Sequence, residues 1–264
     1  MRRAKLLLGV MILSGFGRVE AQAVAPNAAA QTSIQPAAAT LESLAQQTAA
    51  YRKVVPNFTC EENAVSSAIR GGKLKLRIEF TATLRVVRAT DGDLAENFHF
   101  TSYMGRPTTE GGKYPLPLYV GGLLSGGMPS FFDASQQSCF HYTEGDRRIE
   151  FESQPGDDPA CVDKKGITGF VTLDEHGSVL HEEIHRPAKE AAERKLVRAG
   201  AIDYDVVRLN HQDYRLPVHV YAENPKGFAF EANLTGCRLF QATVTITPAQ
   251  PVVVDGQTEP PSHP

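Results

Sequence analysis

A stretch of this 264-residue chain, residues 73–86, alternates strictly between apolar and polar residues. Its apolar positions are Leu74, Leu76, Ile78, Phe80, Ala82, Leu84 and Val86. Strict period-two alternation predicts a β-strand with one buried face and one solvent face. At about 3.3 Å per residue this strand would run roughly 45 Å, about twice the usual length, so we expect it to coil or bend within a twisted sheet. A long curved strand implies an apolar trough that another part of the chain must cover.

The overall charge excludes some classes of partner. The formal net charge is −3, so nothing in it favours nucleic acid or a strongly acidic partner. Once the terminal segments are set aside, residues 40–248 remain. This length suits a single β-rich domain with a sizeable core.

The first 23 residues have the pattern of an export signal. A basic start at 1–5 precedes an apolar core at 6–17, and the small residues Ala21 and Ala23 fit a cleavage site. The alternative is an uncleaved membrane anchor, but the apolar run is too short to span a bilayer. We therefore predict a signal peptide over 1–23, no stable membrane insertion, and a periplasmic or secreted mature protein.

Two segments at the ends of the domain are predicted to be disordered, because residues 24–39 are rich in Ala, Gln and Pro and residues 249–264 are rich in Pro. Between 41 and 55 apolar residues recur every three or four positions. This spacing predicts one amphipathic helix that begins at an N-cap, Thr40, and stops before Pro56. A helix of about 22 Å covers only part of the sheet, so a second cover is required.

Further strands are predicted from apolar runs separated by turn residues. One at 58–69 precedes the long strand, and a third has Leu94, Phe98 and Phe100 on one face. Four hairpins are predicted to pair 138–142 with 148–152, 169–173 with 178–185, 202–209 with 215–223, and 228–234 with 239–247. Residues 191–199 fit either a helix or a strand. Consecutive hairpins predict a mainly antiparallel sheet.

A long segment, residues 105–137, mixes glycines and prolines with apolar residues that include Phe131 and Phe132. A long apolar loop is uncommon in a compact domain unless it is a lid or a binding segment. The alternative, an ordinary insertion that covers the core, is equally open. A short helix is predicted near 129–135.

Four cysteines, Cys60, Cys139, Cys161 and Cys237, lack the C-x-x-C spacing of a zinc knuckle or a redox pair. In an oxidising compartment the default is two disulfides with three possible connectivities. We favour Cys139 with Cys161, which flank one hairpin region, and Cys60 with Cys237, which would join the first strand to a late one. Unpaired buried thiols are the alternative.

One sequence matches a metallopeptidase pattern, because residues 181–185 read H-E-x-x-H. On a helix that pattern places two imidazoles around zinc with a glutamate beside them as base. Here a turn lies four residues upstream, the apolar residues alternate, and Pro187 follows closely. On a strand His181 and His185 would be about 13 Å apart. We therefore interpret the match as accidental and predict no metal.

Basic residues alternate along and after the long strand, at Lys73, Lys75, Arg77, Arg85 and Arg88. The simplest interpretation is a solvated strand face. Attraction to an anionic lipid headgroup is the alternative.

Several short motifs lie in the order expected for a known group of proteins. They are PNFTC at 56–60, GFVTLD at 169–174, GSVL at 177–180, YRLPV at 214–218 and GCRLF at 236–240. Together with the signal peptide, the single helix and the long strand, they resemble a group of uncharacterised exported bacterial proteins. Those proteins are similar in turn to the LolA-like periplasmic lipoprotein carriers. The resemblance implies a mainly β fold, a curved antiparallel half-barrel sheet with one N-terminal helix packed against it and a Gly-rich lid.

The resemblance also implies a non-enzymatic carrier or sensor, and this agrees with the trough expected from the alternating strand. We expect an exported binding protein without a cofactor, whose partner is an apolar small molecule, an acyl chain or a lipoprotein. The lining residues that we expect are Leu74, Leu76, Ile78, Phe80, Leu84, Phe98, Phe100, Phe131 and Phe132. The alternatives are a zinc-dependent hydrolase using His181, Glu182 and His185, and a structural or interaction domain with no ligand.

Overall fold

The computed structural model describes residues 38–90, 92–126, 130–154, 161, 166–193 and 196–240. The predicted signal peptide, residues 24–37 of the predicted linker and the predicted tail lie outside these residues. Within them, no helix has the length and apolar character needed to cross a bilayer.

The described residues form one large, open antiparallel sheet with a helix at the N-terminal side, so the predicted fold class is confirmed. The strands are β1 (Phe58–Arg70), β2 (Lys73–Arg88), β3 (Leu94–Tyr103), β4 (Arg106–Pro107), β5 (Phe140–Gly145), β6 (Arg148–Ser153), β7 (Thr168–Leu173), β8 (Val179–His185), β9 (Ala199–Leu209), β10 (Gln212–Glu223) and β11 (Phe228–Leu239). The helices are α1 (Ala38–Val54), α2 (Leu123–Gly126) and α3 (Ala188–Glu193), with 3-10 turns at Ser130–Phe132 and Gln137–Cys139.

The order of strands across the sheet is β4-β3-β2-β1-β11-β10-β9-β8-β7-β6-β5. The first and last strands therefore pair with each other in the interior of the sheet, and β4 and β5 form its two edges. Residues 108–139 connect one edge to the other. We name residues 108–126 of this connection the crossover segment.

Strand β2 has the alternation that its sequence predicts over most of its length. Ile78, Phe80, Leu84 and Val86 are buried on one face, which we call the covered face. Leu76 continues the covered face but is 44% exposed; Leu74, which follows a register shift and pairs with Ile69, is 58% exposed. The cover therefore ends before the strand does.

Helix α1 covers one part of this face. Its side chains Leu44, Tyr51 and Val55, the last just beyond its end, are buried and pack in one cluster with Phe58 and Leu84, as the three- and four-residue spacing predicts. The helix begins at Ala38, so Thr40 is not its N-cap and the last residues of the predicted linker are helical.

The C-terminal end of α1 is held by strand β2. The guanidinium group of Arg88 donates hydrogen bonds to the backbone carbonyls of Arg52 (2.7 Å) and Val55 (2.9 Å). Carbonyls at a helix end have no partner within the helix, so a cation there satisfies them and favours the negative end of the dipole. Arg88 therefore fixes where the helix leaves the sheet.

The crossover segment covers a second part of the face. Leu116, Leu118, Tyr119, Val120 and Leu123 pack against a cluster built from Phe80, Phe98, Phe100, Val220 and Phe230. The expectation that the helix leaves part of the sheet for a second cover is therefore confirmed.

One sequence prediction about local structure differs from what is seen. No hairpin separates 228–234 from 239, because β11 is one strand that pairs with both β1 and β10; residues 241–247 lie outside the described residues. Gly236, at φ +59°, sits opposite a register shift between Thr59 and Glu61. It accommodates a β-bulge instead of a turn.

In the range 191–199, which the sequence left open, α3 ends at Glu193 and β9 begins at Ala199.

Both favoured disulfides are formed, Cys60 with Cys237 and Cys139 with Cys161. The first joins β1 to β11, and its two cysteines are 177 residues apart in the sequence. The two cysteines of the second are 22 residues apart. Disulfides form and persist in oxidising compartments, so both pairs agree with the predicted export.

We expect the two disulfides to differ in their effect on stability. Chain-entropy arithmetic gives about 5 kcal/mol for the loop closed by Cys60–Cys237 and about 3 kcal/mol for that closed by Cys139–Cys161. Urea unfolding of the Cys60→Ala/Cys237→Ala and Cys139→Ala/Cys161→Ala variants should show the larger loss in the first. Equal losses, or the reverse order, would show that loop closure does not set the ranking.

Candidate functional site

An apolar groove opens where the cover of the sheet ends. Its volume is about 590 Å³, within the range of roughly 300–1,000 Å³ that is usual for small-molecule sites. It is lined by Ala68, Arg70, Lys75, Leu76, Ile78, Pro115, Leu116, Pro117 and Phe228. The lining comes from β1, β2, the start of β11 and the crossover segment.

The sequence builds this groove through strand register. Ala68 pairs with Leu76 on one side and with Phe228 on the other, so the three side chains share the covered face. Ala68 is small, which leaves space between its two larger neighbours. The groove floor is therefore a row of three side chains, one from each of three adjacent strands.

Side-chain hydrogen bonds hold the crossover segment over the sheet. The Ser66 hydroxyl donates to the carbonyl of Leu118 at 2.7 Å and accepts from its N–H at 3.0 Å. The Tyr103 hydroxyl donates to the carbonyl of Pro115 at 2.8 Å. The groove wall formed by residues 115–117 is thus anchored at both of its ends.

A second groove, of about 530 Å³, lies on the other side of the crossover segment. It shares Pro117 and Phe228 with the first groove and continues along Leu118 and Tyr119 toward Ala191 of α3. Both grooves therefore follow the crossover segment, one on each side.

A buried carboxyl group lies deeper on the covered face, at Glu62 of β1. Glu62 is opposite Ala82 on β2 and Leu234 on β11, and it is fully buried. Neither of its carboxylate oxygens has a hydrogen-bond partner among the described residues. Burial, with a smaller contribution from the nearby Glu96 charge, raises the pKa of Glu62 to about 8. Glu62 is therefore largely protonated at neutral pH.

The neighbouring Glu96 has a different environment. Its carboxylate accepts hydrogen bonds from the N–H groups of Gly122, Leu124 and Ser125 at 2.8–3.3 Å. These donors belong to the first turn of α2, whose N–H groups have no partner within the helix. Glu96 thus ties the end of the crossover segment to β3, and the Tyr51 hydroxyl ties it to α1 by donating to the Leu124 carbonyl at 2.6 Å.

The H-E-x-x-H residues lie on strand β8, and their arrangement is not that of a zinc peptidase. Glu182 is buried on the covered face, where it accepts a hydrogen bond from the Tyr204 hydroxyl at 3.0 Å. Burial raises the pKa of Glu182 to about 7. His181 and His185 lie on the opposite, outer face, because neighbouring strand residues point to opposite sides. The glutamate cannot serve as base for a water bound between these histidines.

The outer-face histidines belong instead to a row of alternating imidazoles and carboxylates across four strands. Both oxygens of Asp203 contact imidazole Nδ1 atoms, one from His181 at 2.5 Å and one from His219 at 3.0 Å. The Nε2 atoms of these histidines lie 3.3 Å from Glu183 and Glu231. In the described part of the chain, no set of three such side chains has the geometry to hold a metal ion.

The nine predicted lining residues lie in three places. Three are in the core cluster under α1: Leu84, Phe131 and Phe132. Three are in the aromatic cluster under the crossover segment: Phe80, Phe98 and Phe100. The remaining three are at the groove or beside it: Leu74, Leu76 and Ile78. The groove also uses Ala68 and Phe228, whose strand register could not be predicted from the sequence.

No family model matches this chain, and no curated protein matches it. The solved structures that match include a DUF1329 family protein from Desulfovibrio piger, with 13% identity, a TM-score of 0.39, and coverage of 78% of this chain and 95% of that one. A LolA superfamily protein from Nitrosomonas europaea has 8% identity and a TM-score of 0.33, covering 77% and 94%.

A third solved structure is an outer membrane lipoprotein-sorting protein domain from Vibrio parahaemolyticus, with 14% identity, a TM-score of 0.35, and coverage of 78% and 94%. The structures that match thus include a LolA superfamily protein, the group that the sequence motifs resemble. At these identities and TM-scores we interpret the site from its own geometry.

The raised pKa of Glu62 predicts a specific dependence of stability on pH. Between pH 4.5 and about 8 the folded protein holds a proton that the unfolded chain has released, so the free energy of unfolding falls as pH rises through this window. Glu62→Gln removes the titration, and we expect it to be a few kcal/mol more stable than the native protein at pH 9 and nearly equal at pH 4.5. Urea unfolding at both pH values measures this.

The matched control for this prediction is Glu42→Gln, the same chemical change at an exposed position of α1. It should leave the pH profile of the native protein unchanged. Parallel profiles for Glu62→Gln and the native protein would show that Glu62 does not titrate differently in the folded state.

Proposed function

We propose that this protein is an exported, non-enzymatic binding protein that holds the apolar part of a small amphiphile, such as an acyl chain, in the groove between the β1–β2 hairpin and the crossover segment. The observation that supports this most directly is the uncovered end of the apolar face. Leu76 and Ile78 continue the row of core residues into an open groove and meet Leu116 across it.

The groove chemistry supports an amphiphile over a fully apolar ligand. Its floor and walls are aliphatic or aromatic, while Arg70 and Lys75 are cations at its rim. An acyl chain would bury its methylenes on the floor and place an anionic group near the cations. Each buried methylene contributes about 0.8 kcal/mol, so about ten of them suffice for micromolar affinity.

The crossover segment supports the role of a carrier or sensor. It is held to the sheet by hydrogen bonds through Ser66 and Tyr103, and apolar grooves lie on both sides of it. The two grooves share Pro117 and Phe228, so a ligand longer than the first groove would meet the second there. The predicted export signal and the two disulfides support a periplasmic or secreted location.

Several observations favour binding over catalysis. The described lining of the groove holds no histidine, cysteine or carboxylate that could act as nucleophile or base. The zinc hydrolase alternative requires Glu182 beside two metal-bound imidazoles, whereas Glu182 lies on the other face of the sheet. No specific observation favours a reaction at either place.

A fluorescent fatty acid titrated into the purified protein tests the proposal. We expect micromolar binding to the native protein and binding at least about tenfold weaker to Leu76→Glu, because a carboxylate on the groove floor opposes burial of an acyl chain. Leu180→Glu is the matched control, since Leu180 on β8 is exposed to a similar extent (39% against 44%) and lies outside the groove.

The control should bind the probe as the native protein does. The proposal fails if the native protein does not bind the probe and native mass spectrometry finds no lipid copurifying from its own periplasm. Equal binding by Leu76→Glu would place the ligand elsewhere. Elemental analysis of protein purified without chelators should find less than about one-tenth equivalent of zinc, and a full equivalent would revive the hydrolase alternative.

A further inference from the structure

The turn between β1 and β2 projects past the neighbouring strand. Strand β3 ends at Tyr103, which pairs with Phe80, so residues 73–79 of β2 have no strand beside them on that side among the described residues. On the other side, the N–H of Ile69 donates to the carbonyl of Gly227 at 2.7 Å. We name residues 69–78 the hairpin tip. The apolar groove opens at its base.

The hairpin tip is cationic. The sequence from 63 to 78 contains Arg70, Lys73, Lys75 and Arg77 and no acidic residue. Arg77 is paired with Glu79 at 2.9 Å. The other three cations are exposed, and among the described residues none of them forms an ion pair. The tip therefore presents an uncompensated positive charge to solvent.

The hairpin tip is also apolar in a way that a soluble hairpin does not require. Ile69, Leu74 and Leu76 are 39%, 58% and 44% exposed, and they lie within one short hairpin. Leu76 pairs with Ala68 on the groove face, and Leu74 pairs with the next residue of β1, Ile69. Because consecutive strand residues point to opposite sides, aliphatic side chains are exposed on both faces of the tip, between the cations. Single exposed leucines need no explanation, but three exposed aliphatic side chains on one short tip, among like charges, indicate an interaction surface.

We propose that the hairpin tip docks on an anionic phospholipid surface, with the groove mouth facing the lipids. Cations near such a surface are attracted to the headgroups, while aliphatic side chains between them enter the interfacial region. The docking is inferred from the charge and the exposed aliphatic side chains of the hairpin tip alone. The further step, in which docking loads the groove with a lipid acyl chain, rests on the function proposed above.

Protection of an exposed strand edge accounts for part of the same features. Lysines on an unpaired edge prevent it from pairing with another chain, and Lys73 and Lys75 lie on such an edge. That role does not require three exposed aliphatic side chains beside the lysines, since apolar residues on an edge promote the pairing that lysines oppose. The combination of positive charge and exposed aliphatic side chains therefore favours a lipid surface.

Co-sedimentation of the purified protein with vesicles tests the docking. We expect binding to vesicles of phosphatidylcholine with a quarter phosphatidylglycerol, weakened by salt, and little binding to pure phosphatidylcholine. The double variant Lys73→Glu/Leu74→Ser should bind the anionic vesicles at least about fivefold more weakly, the effect of losing one cation near the surface. The new glutamate keeps a charge on the strand edge, which limits aggregation.

The matched control is Lys53→Glu/Val54→Ser. Lys53 and Val54 are also an exposed cation and an exposed aliphatic residue, the latter 57% exposed, but they lie at the end of α1 near Arg88, at the opposite end of β2. The control should bind the vesicles as the native protein does. Equal loss in both variants, or equal binding to neutral and anionic vesicles, would overturn the proposal.

Two further readouts separate this proposal from others. Neither Lys73 nor Leu74 lines the groove, so Lys73→Glu/Leu74→Ser should bind the fluorescent fatty acid as the native protein does. Loss of vesicle binding with retained probe binding supports docking, and probe binding without any vesicle binding would overturn docking alone. A native dimer that becomes monomeric in the double variant, without vesicle binding, would assign the tip to self-association instead.

Discussion

The pairing of the first strand with the last is the constraint on which the rest of the structure depends. Because β1 and β11 lie side by side in the interior of the sheet, the chain has to travel from the outer edge at β4 to the opposite edge at β5. A connection between two edges of an open sheet must pass over one of its faces. The Cys60–Cys237 disulfide fixes the strand pair that imposes this path.

The position of the groove follows from the difference in length between helix α1 and strand β2. Helix α1 has 17 residues and is about 25 Å long, whereas β2 has 16 residues and spans about 50 Å. Helix and crossover segment together cover the face from Val86 as far as Ile78, and the last apolar residues of β2 extend beyond both. The same row of apolar residues on β2 therefore forms the core where it is covered and the groove floor where it is not.

Much of the fold could be predicted because it depends on local patterns. The strand at 73–86, the helix at 41–55 and the disulfide pairing depend on periodicity, composition and compartment. The groove depends on register between distant segments, such as Ala68 beside Phe228, and period-two patterning does not specify register. The predicted hairpin between 228–234 and 239–247 was wrong for a related reason, since a glycine such as Gly236 in a strand fits a bulge as well as a turn.

The anchoring of the crossover segment has one more consequence. A flap hinged at one end swings away and exposes the whole face beneath it, but the crossover segment is held at both ends. At its start the Thr108 hydroxyl donates to the Phe100 carbonyl of β3, and at its other end Glu96 and Tyr51 hold α2. Lifting the crossover segment off the sheet would break the hydrogen bonds at both of its ends together. A ligand of the kind proposed would therefore have to enter endwise along the crossover segment, so its width would matter more than its length.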